Sequence, residues 1–489
     1  MHEVLLSLQT LNRNKLLQAA LVLAGVGAVA LFGALLPTVE SSGIVGFSGQ
    51  RGVQLLGLAL FASVWLVLFN IKSDSAIYLG LLAVPLLIGQ TGMQLDIGQV
   101  RTSALEALIL GLTLSTAVAL IAQRQLRLRL PTLSRPLLFL MLFLLSLGLG
   151  LAFVRGVPAF AVITMVKGYY LYPFLLLVAL VVVQSRRQLA LYIVLGLISA
   201  LYAGLTVAQY TTYDVALVGG ALIDRLSGVF GIINQFGFYL ASMAILGTAL
   251  FFHHPHPLLR LCALAVAIVC VSAMLSTLSR GAAVGLLAGM GALGLLTDGR
   301  RRTELLVLAL LLVLIQPLIP EWVPLRFNYT SLGDHSTSLR LYYLQTGWQA
   351  IQHYPLGAGW GASFWLTQAN SLIPANGLPW SHNDYLNLTV QVGLLGLGVF
   401  LGCWWSLYRY VWRALRTLAV AAELRAYMIG GMAATFGLFV SGATDHILQR
   451  QDIAGQLWWM ASIMLCAARL AYREAADQHS TAEPNATRH

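Results

Sequence analysis

Long apolar runs, each bounded by arginines or turn residues, recur from Leu16 to Tyr472 and constrain this chain more than any other feature. A helix crossing a bilayer core needs ~20 consecutive apolar residues. The runs fall at about 16–36, 52–70, 76–92, 104–122, 136–154, 158–183, 188–208, 236–252, 260–278, 281–297, 303–319, 385–404, 425–443 and 456–472. The expectation is an all-α polytopic membrane protein with about fourteen transmembrane helices, twelve at the fewest. A β-barrel is excluded, because its strands alternate apolar and polar residues. Only 10% of the residues are charged, against about 25% in a soluble domain, so a soluble enzyme is excluded too. Cys262, Cys270, Cys403 and Cys466 all lie inside apolar runs and read as small hydrophobes. The first run lacks a small-residue cleavage site and reads as the first span.

The formal charge of +11 is a topology signal. With the N-terminus cytoplasmic, alternate connections collect 20 of the 29 basic residues, including Arg124, Arg127, Arg129, Arg186, Arg187, Arg300, Arg301, Arg302, Arg413 and Arg416. Such an excess marks the cytoplasmic side. The opposite side keeps Arg51, Arg101, Arg155, Arg225, Arg280, Arg326, Arg340 and Arg450, with Lys167 inside a span near that face. Residues 1–474 are therefore expected to form one integral membrane domain, with a disordered cytoplasmic tail over 475–489.

Two outward segments are long, residues 209–235 and 320–384, and loops of that length usually carry function. The second holds Arg326, then an amphipathic pattern over Thr337–Ile351 whose apolar face would be Leu339, Tyr342, Tyr343, Trp348 and Ile351. Gly357-Ala358-Gly359-Trp360-Gly361 follows, either a tight turn or backbone amides offered to an anion. Ser381 and Asp384 fit a capping box opening the next span, which leaves His382 and Asn383 projecting at a helix start. Outward arginines and Lys167 near one face imply a phosphate-bearing lipid or similar anion, which guanidinium groups bind in two-pronged fashion. No metal or cofactor is predicted. His253, His254 and His256 lie beside prolines on the cytoplasmic side, and Asp334, Asp384, Asp445 and Asp452 show no pairing.

Four features resemble the O-antigen ligase and O-antigen polymerase superfamily of bacterial envelope proteins. They are Arg225-Leu226-Ser227-Gly228 with Asn234; Leu278-Ser279-Arg280-Gly281-Ala282; Arg340 ahead of Pro355-Leu356-Gly357-Ala358-Gly359-Trp360-Gly361; and His382-Asn383-Asp384-Tyr385-Leu386 running into Val392-Gly393-Leu394-Leu395-Gly396. The resemblance covers roughly residues 220 to 400. It implies a glycosyltransferase of the C-type architecture (GT-C) in the bacterial inner membrane, with cytoplasmic termini and a periplasmic working face. Such an enzyme takes a glycan from undecaprenyl pyrophosphate without a metal and passes it to an acceptor hydroxyl, on lipid A-core or on a growing glycan, and so serves lipopolysaccharide biosynthesis.

By the same resemblance His382 and Arg280 are expected to be catalytic, with Arg225, Arg280 and Arg340 on the donor pyrophosphate. Arg326 and Lys167 join that set by sidedness and burial alone. Asn383, Tyr385, Trp348 and Trp360 are expected at the acceptor or sugar; Trp322, Tyr343 and Trp380 either stack on sugars or anchor the loop. Two other functions stay open at this point: a lipid-linked glycan flippase or other transporter, and a protein O-oligosaccharyltransferase.

Overall fold

The structure, a computed structural model, describes residues 73–88, 94–97, 100–122, 134–207, 211–218, 221–226, 228–230, 232–304, 335–362, 382–448 and 450–482. Their elements run α1 (Ser73–Leu87), β1 (Gln94–Ile97), β2 (Val100–Ser103), α2 (Ala104–Ala122), α3 (Ser134–Val154), α4 (Ala159–Tyr170), α5 (Pro173–Val182), α6 (Arg186–Leu205), β3 (Thr211–Val218), β4 (Ala221–Leu226), α7 (Ile233–His253), α8 (Pro257–Ser276), α9 (Arg280–Leu296), α10 (His335–His353), α11 (Asp384–Thr417), α12 (Ala422–Gly442) and α13 (Gln451–Ala482).

The chain divides into two compact units, residues 1–83 with 110–128, and residues 84–109 with 129–489. In the first, the described residues are the starting part of α1 and the later part of α2. Ile77, Leu81, Leu112 and Ala119 are buried there, and the buried Thr116 hydroxyl donates to the Leu112 carbonyl at 2.7 Å.

The second unit is a helix bundle. Helix α7 packs against α8, α9 and α12, and α12 in turn against α13. Almost every residue of α7 from Ile233 to Leu250 is buried, as expected of a helix apolar on all sides at the centre of a bundle. Seven helical segments among the described residues are long and apolar enough to cross a membrane: 159–182, 186–205, 233–253, 257–276, 384–417, 422–442 and 453–478. They coincide with seven of the sequence runs. Four further runs correspond to shorter apolar helices in α1, α2, α3 and α9. The runs at 16–36 and 52–70, and nearly all of 303–319, lie outside the described residues.

Three local findings depart from the sequence reading. The segment 209–235 contains an antiparallel hairpin, with Leu217 opposite Leu222 and Val218 opposite Ala221; β-branched Thr211, Thr212, Val215 and Val218 flank a Gly219-Gly220 pair of the kind such turns favour. The expected tail does not begin at Ala475, since α13 continues to Ala482 and Arg186 forks onto Glu474 with two bonds of 2.6 Å. Helix α10 forms as expected, but it buries Tyr343, Ala350 and Ile351 while Trp348 stays exposed.

Helix α11 is broken at Gly393, whose φ of 73° and ψ of 177° are non-helical. The break fits the glycine turn 357–361. A β-carbon on Gly393 would lie 2.6 Å from backbone atoms of Pro355 and Leu356, and one on Gly359 would strike the backbone of Ala152. Only glycine permits such backbone-to-backbone contact at positive φ. Ala358, Ala362, Ala350, Ile351 and Val390 join Ala152, Val157 and Ala161 in one apolar cluster. Thus α10, the glycine turn and the first segment of α11 are anchored to α3 and α4.

Candidate active site

The amides of the glycine turn settle one alternative. Ala358 N–H donates to Val390 O, Gly359 N–H to Gln391 O, Trp360 N–H to Gly148 O, and Gly361 N–H to Gln391 Oε1 at 3.1 Å. All four are spent within the protein, so the anion-cradle reading gives way to the turn reading. Arg155, one of the outward arginines, donates to Gly357 O at 2.9 Å and lies 4.2 Å over the Tyr354 ring.

That turn seats the first segment of α11, and the start of α11 differs from the sequence expectation. The N-cap is Asn383, whose Oδ1 accepts from Leu386 N–H at 3.0 Å; Ser381 lies outside the described residues. Asp384 is buried and reaches across to another loop. Its Oδ2 accepts from the backbone N–H of Ile447 at 2.6 Å and of Leu448 at 3.0 Å. Asn383 Nδ2 adds a bond to Ala443 O at 3.0 Å. The loop after α12 is therefore tied to the start of α11 by the two residues that follow His382.

These ties bring Asp445 to His382. His382 Nδ1 lies 3.1 Å from Asp445 Oδ1, while Asn234 Nδ2, at the start of α7, donates to Asp445 Oδ2 at 2.7 Å. The reading of Asp445 as an unpaired outward carboxylate is thereby corrected. His446 follows, 3% exposed, its ring stacked on that of His382 at 4.7 Å and its Nε2 3.9 Å from Asp445 Oδ1. Tyr343 of α10 stacks on the other imidazole, at 6.0 Å from His382.

Electrostatics give the two new residues definite forms. Burial acts to raise the Asp445 carboxyl, but the His382 hydrogen bond and the nearby imidazoles outweigh it and hold it well below the usual carboxylate range. Burial pushes His446 down to about 3, helped by the charges of His382, Arg450 and Arg340 against the pull of Asp445. Asp445 is thus a carboxylate and His446 a neutral imidazole at neutral pH, and Arg340 is near enough to act on His446.

Backbone strain marks the same place. Among the described residues only two non-glycine residues have positive φ, Leu278 at 52° and His382 at 48°. Such conformations persist only where the surroundings enforce them, and they cluster at functional sites. Leu278 belongs to the α8–α9 turn, where Ser279 caps α9 by accepting from Ala282 N–H and Arg280 is the first helical residue. Next to it, Gly281 O accepts from Ser441 Oγ at 3.2 Å, and a β-carbon on Gly281 would strike Thr444 Oγ1. The Arg280 turn is accordingly packed on the residue preceding Asp445.

The other expected site residues are placed as follows. Arg225 is in β4, beside the hairpin partner strand. Arg326 lies outside the described residues. Lys167 donates to the buried Glu106 carboxylate at 2.9 Å, which also accepts from Tyr172 OH at 3.0 Å and Ser103 N–H at 2.9 Å. Glu106 was missed by sequence reasoning, although Ser103-Ala104-Leu105-Glu106 is a capping box. Trp360 is buried, with Tyr169 and Tyr170 against its ring and its indole N–H on Leu144 O. Trp348 is 56% exposed. Tyr385 OH donates to Phe439 O at 2.7 Å. His382 and Asn383 thus meet Asp445, His446 and Asn234 at one place, with Tyr343 stacked alongside, Arg340 near enough to act on His446, and the turn that carries Arg280 packed on Thr444.

Residues 264–401 match the family model described as O-antigen ligase. The match supports the O-antigen ligase and polymerase superfamily and spans Arg280, Arg340 and His382; Arg225 and Asp445 fall outside it. No curated protein matches the chain.

Proposed function

We propose that this protein is a membrane glycosyltransferase that moves a glycan from a polyprenyl pyrophosphate, undecaprenyl pyrophosphate in bacteria, onto an acceptor hydroxyl at the outer face of the inner membrane. Membership of an O-antigen ligase or polymerase type is supported by the family match over residues 264–401. The observation that carries the reading is the His382–Asp445 pair beside Arg340, at a backbone position held in a strained conformation. A transporter would distribute such ionisable groups along several spans at mid-membrane. We further propose about fourteen spans of GT-C type, cytoplasmic termini, and a periplasmic site.

The chemistry follows from the groups present. As the acceptor oxygen attacks the anomeric carbon, the carbon–oxygen bond to the pyrophosphate breaks and negative charge develops on the departing phosphate. Arg280 and Arg340, with Arg225, stabilise that charge, so the reaction draws its positive charge from guanidinium groups and needs no metal. With His382 Nδ1–H donating to Asp445, Nε2 presents the lone pair that takes the acceptor's proton, and the carboxylate stabilises the imidazolium that results. Asn383 and Tyr385 hold this edge of the site through their bonds to the α12 end, and Trp348 is exposed where a sugar ring can stack on it.

The test is to incubate the reconstituted protein with polyprenyl-pyrophosphate-linked glycan and, separately, lipid A-core, a second donor molecule and a hydroxyl-bearing polypeptide. A new glycosidic bond with one of the first two acceptors is expected. Transport of the lipid-linked glycan without any new bond would overturn the proposal, and transfer to the polypeptide alone would reassign it to protein glycosylation.

A further inference from the structure

His382, Asp445 and His446 present one ligand atom each, and all three atoms lie within 4.8 Å of one another. Neither the family match nor the transfer chemistry assigns a role to His446. We infer that these three residues form a zinc-binding site that switches the transferase off, an inference that rests on the functional reading above only for its inhibitory half.

The donor set selects the metal. Two imidazole nitrogens and one carboxylate oxygen suit Zn²⁺, which binds His at about 2.0–2.1 Å and carboxylate oxygen at similar range. Three protein ligands leave a fourth position for water. Mg²⁺ and Ca²⁺ prefer sets made of oxygens, and here two of the three donors are imidazole nitrogens, which leaves those ions little to gain. The pieces are also pre-assembled: Asp384 and Asn234 fix the Asp445 loop, and the two imidazole rings are stacked at 4.7 Å. Ligand atoms bound to one tetrahedral ion lie roughly 3.3 Å apart, close to the 3.1 Å between His382 Nδ1 and Asp445 Oδ1 and the 3.9 Å between Asp445 Oδ1 and His446 Nε2.

Inhibition follows from proton accounting. When Zn²⁺ bonds to His382 Nδ1, the proton on that nitrogen moves to Nε2, and the ring stays neutral. Nε2 then carries a hydrogen in place of its lone pair, so it cannot accept the acceptor's proton. Asp445 is at the same time drawn to the metal and no longer orients the ring. His446 completes the ligand set without taking part in transfer, which separates metal sensitivity from activity.

Equilibrium dialysis of the full-length purified protein against Zn²⁺, followed by chelation, measures binding without any assay of transfer. One Zn²⁺ per chain, released by EDTA and not displaced by excess Mg²⁺, is expected. In the transfer assay Zn²⁺ lowers the rate over the same concentration range, and EDTA restores it. His446→Phe keeps the ring stack, yet weakens Zn²⁺ binding more than about a hundredfold, beyond the 10–100-fold cost of losing an outer-shell contact, and whatever transfer rate the variant has no longer falls over the Zn²⁺ range that inhibits the unaltered protein; His446→Gln serves if the Phe variant misfolds. Absence of stoichiometric binding, binding that both His446 variants retain, or bound Zn²⁺ that leaves transfer unaffected would each overturn the inference. Zn²⁺ binding with no transfer to any acceptor would leave the metal site standing and remove the transferase.

Discussion

His382 Nδ1 and Asp445 Oδ1 meet at 3.1 Å across 63 positions of sequence, and the contact is built by helix ends. Asp384, beside His382, holds the backbone of Ile447 and Leu448, while Asn234 holds the other Asp445 oxygen. The His382 imidazole is thereby oriented by a buried carboxylate that three separate elements position.

Replacing Asp445 by Asn tests that orientation. The amide keeps the size of the side chain and can still bond to His382, but with its nitrogen toward the ring it favours the tautomer that lacks the Nε2 lone pair. Turnover should fall by roughly 10²–10⁴-fold with donor affinity nearly unchanged. Single-turnover transfer and binding of the lipid-linked donor, measured side by side, check it.

Asp384 acts on the scaffold. Asp384→Ala leaves the Ile447 and Leu448 N–H groups buried without acceptors, at about 1–3 kcal/mol each, and releases the Asp445 loop. Lower thermal stability together with slower transfer is expected, and Asp384→Asn, which keeps one acceptor oxygen, should recover part of both. Thermal unfolding in detergent, run in parallel with the transfer assay, reports the two effects.

Lys167 can be assigned by a double-variant cycle. It is ion-paired with Glu106, which is 1% exposed. Breaking a buried pair from one side costs about 3–5 kcal/mol, whereas removing both charges is often neutral. If Lys167 serves the fold, Lys167→Met destabilises the protein and Lys167→Met with Glu106→Gln restores stability and transfer together. If Lys167 holds the donor, the double variant recovers stability while its apparent donor affinity stays low.

The bundle was largely legible in the sequence, and the site only in part. Spans such as α7 and α12 announce themselves because a bilayer demands a long apolar run of any helix crossing it. Arg280, Arg340 and His382 were singled out by their place on the outward side, where basic residues are disfavoured, and by the motifs that resemble the O-antigen ligase superfamily. Asp445 and His446 were not, because what gives them meaning is the packing of the α12 end on the α11 start, and no local pattern encodes that. The hairpin over 211–226 was read as loop because it was judged by its place between spans, although its β-branched residues and Gly219-Gly220 were visible. Trp348 was put on the wrong face of α10: the buried side is set by Tyr343, Ala350 and Ile351.

The central claim is that a histidine base and phosphate-binding arginines act together on a lipid-linked glycan. It is tested most directly by transfer measurements on reconstituted Arg280→Ala, Arg280→Lys and His382→Ala proteins and on the Arg280→Ala, His382→Ala double variant. Arg280→Ala should lose most activity and Arg280→Lys should recover little, because lysine keeps the charge but not the two-pronged fit to phosphate oxygens. His382→Ala should still bind donor while turnover falls by roughly 10²–10⁴-fold. A folded double variant that transfers glycan at a near wild-type rate would contradict the account.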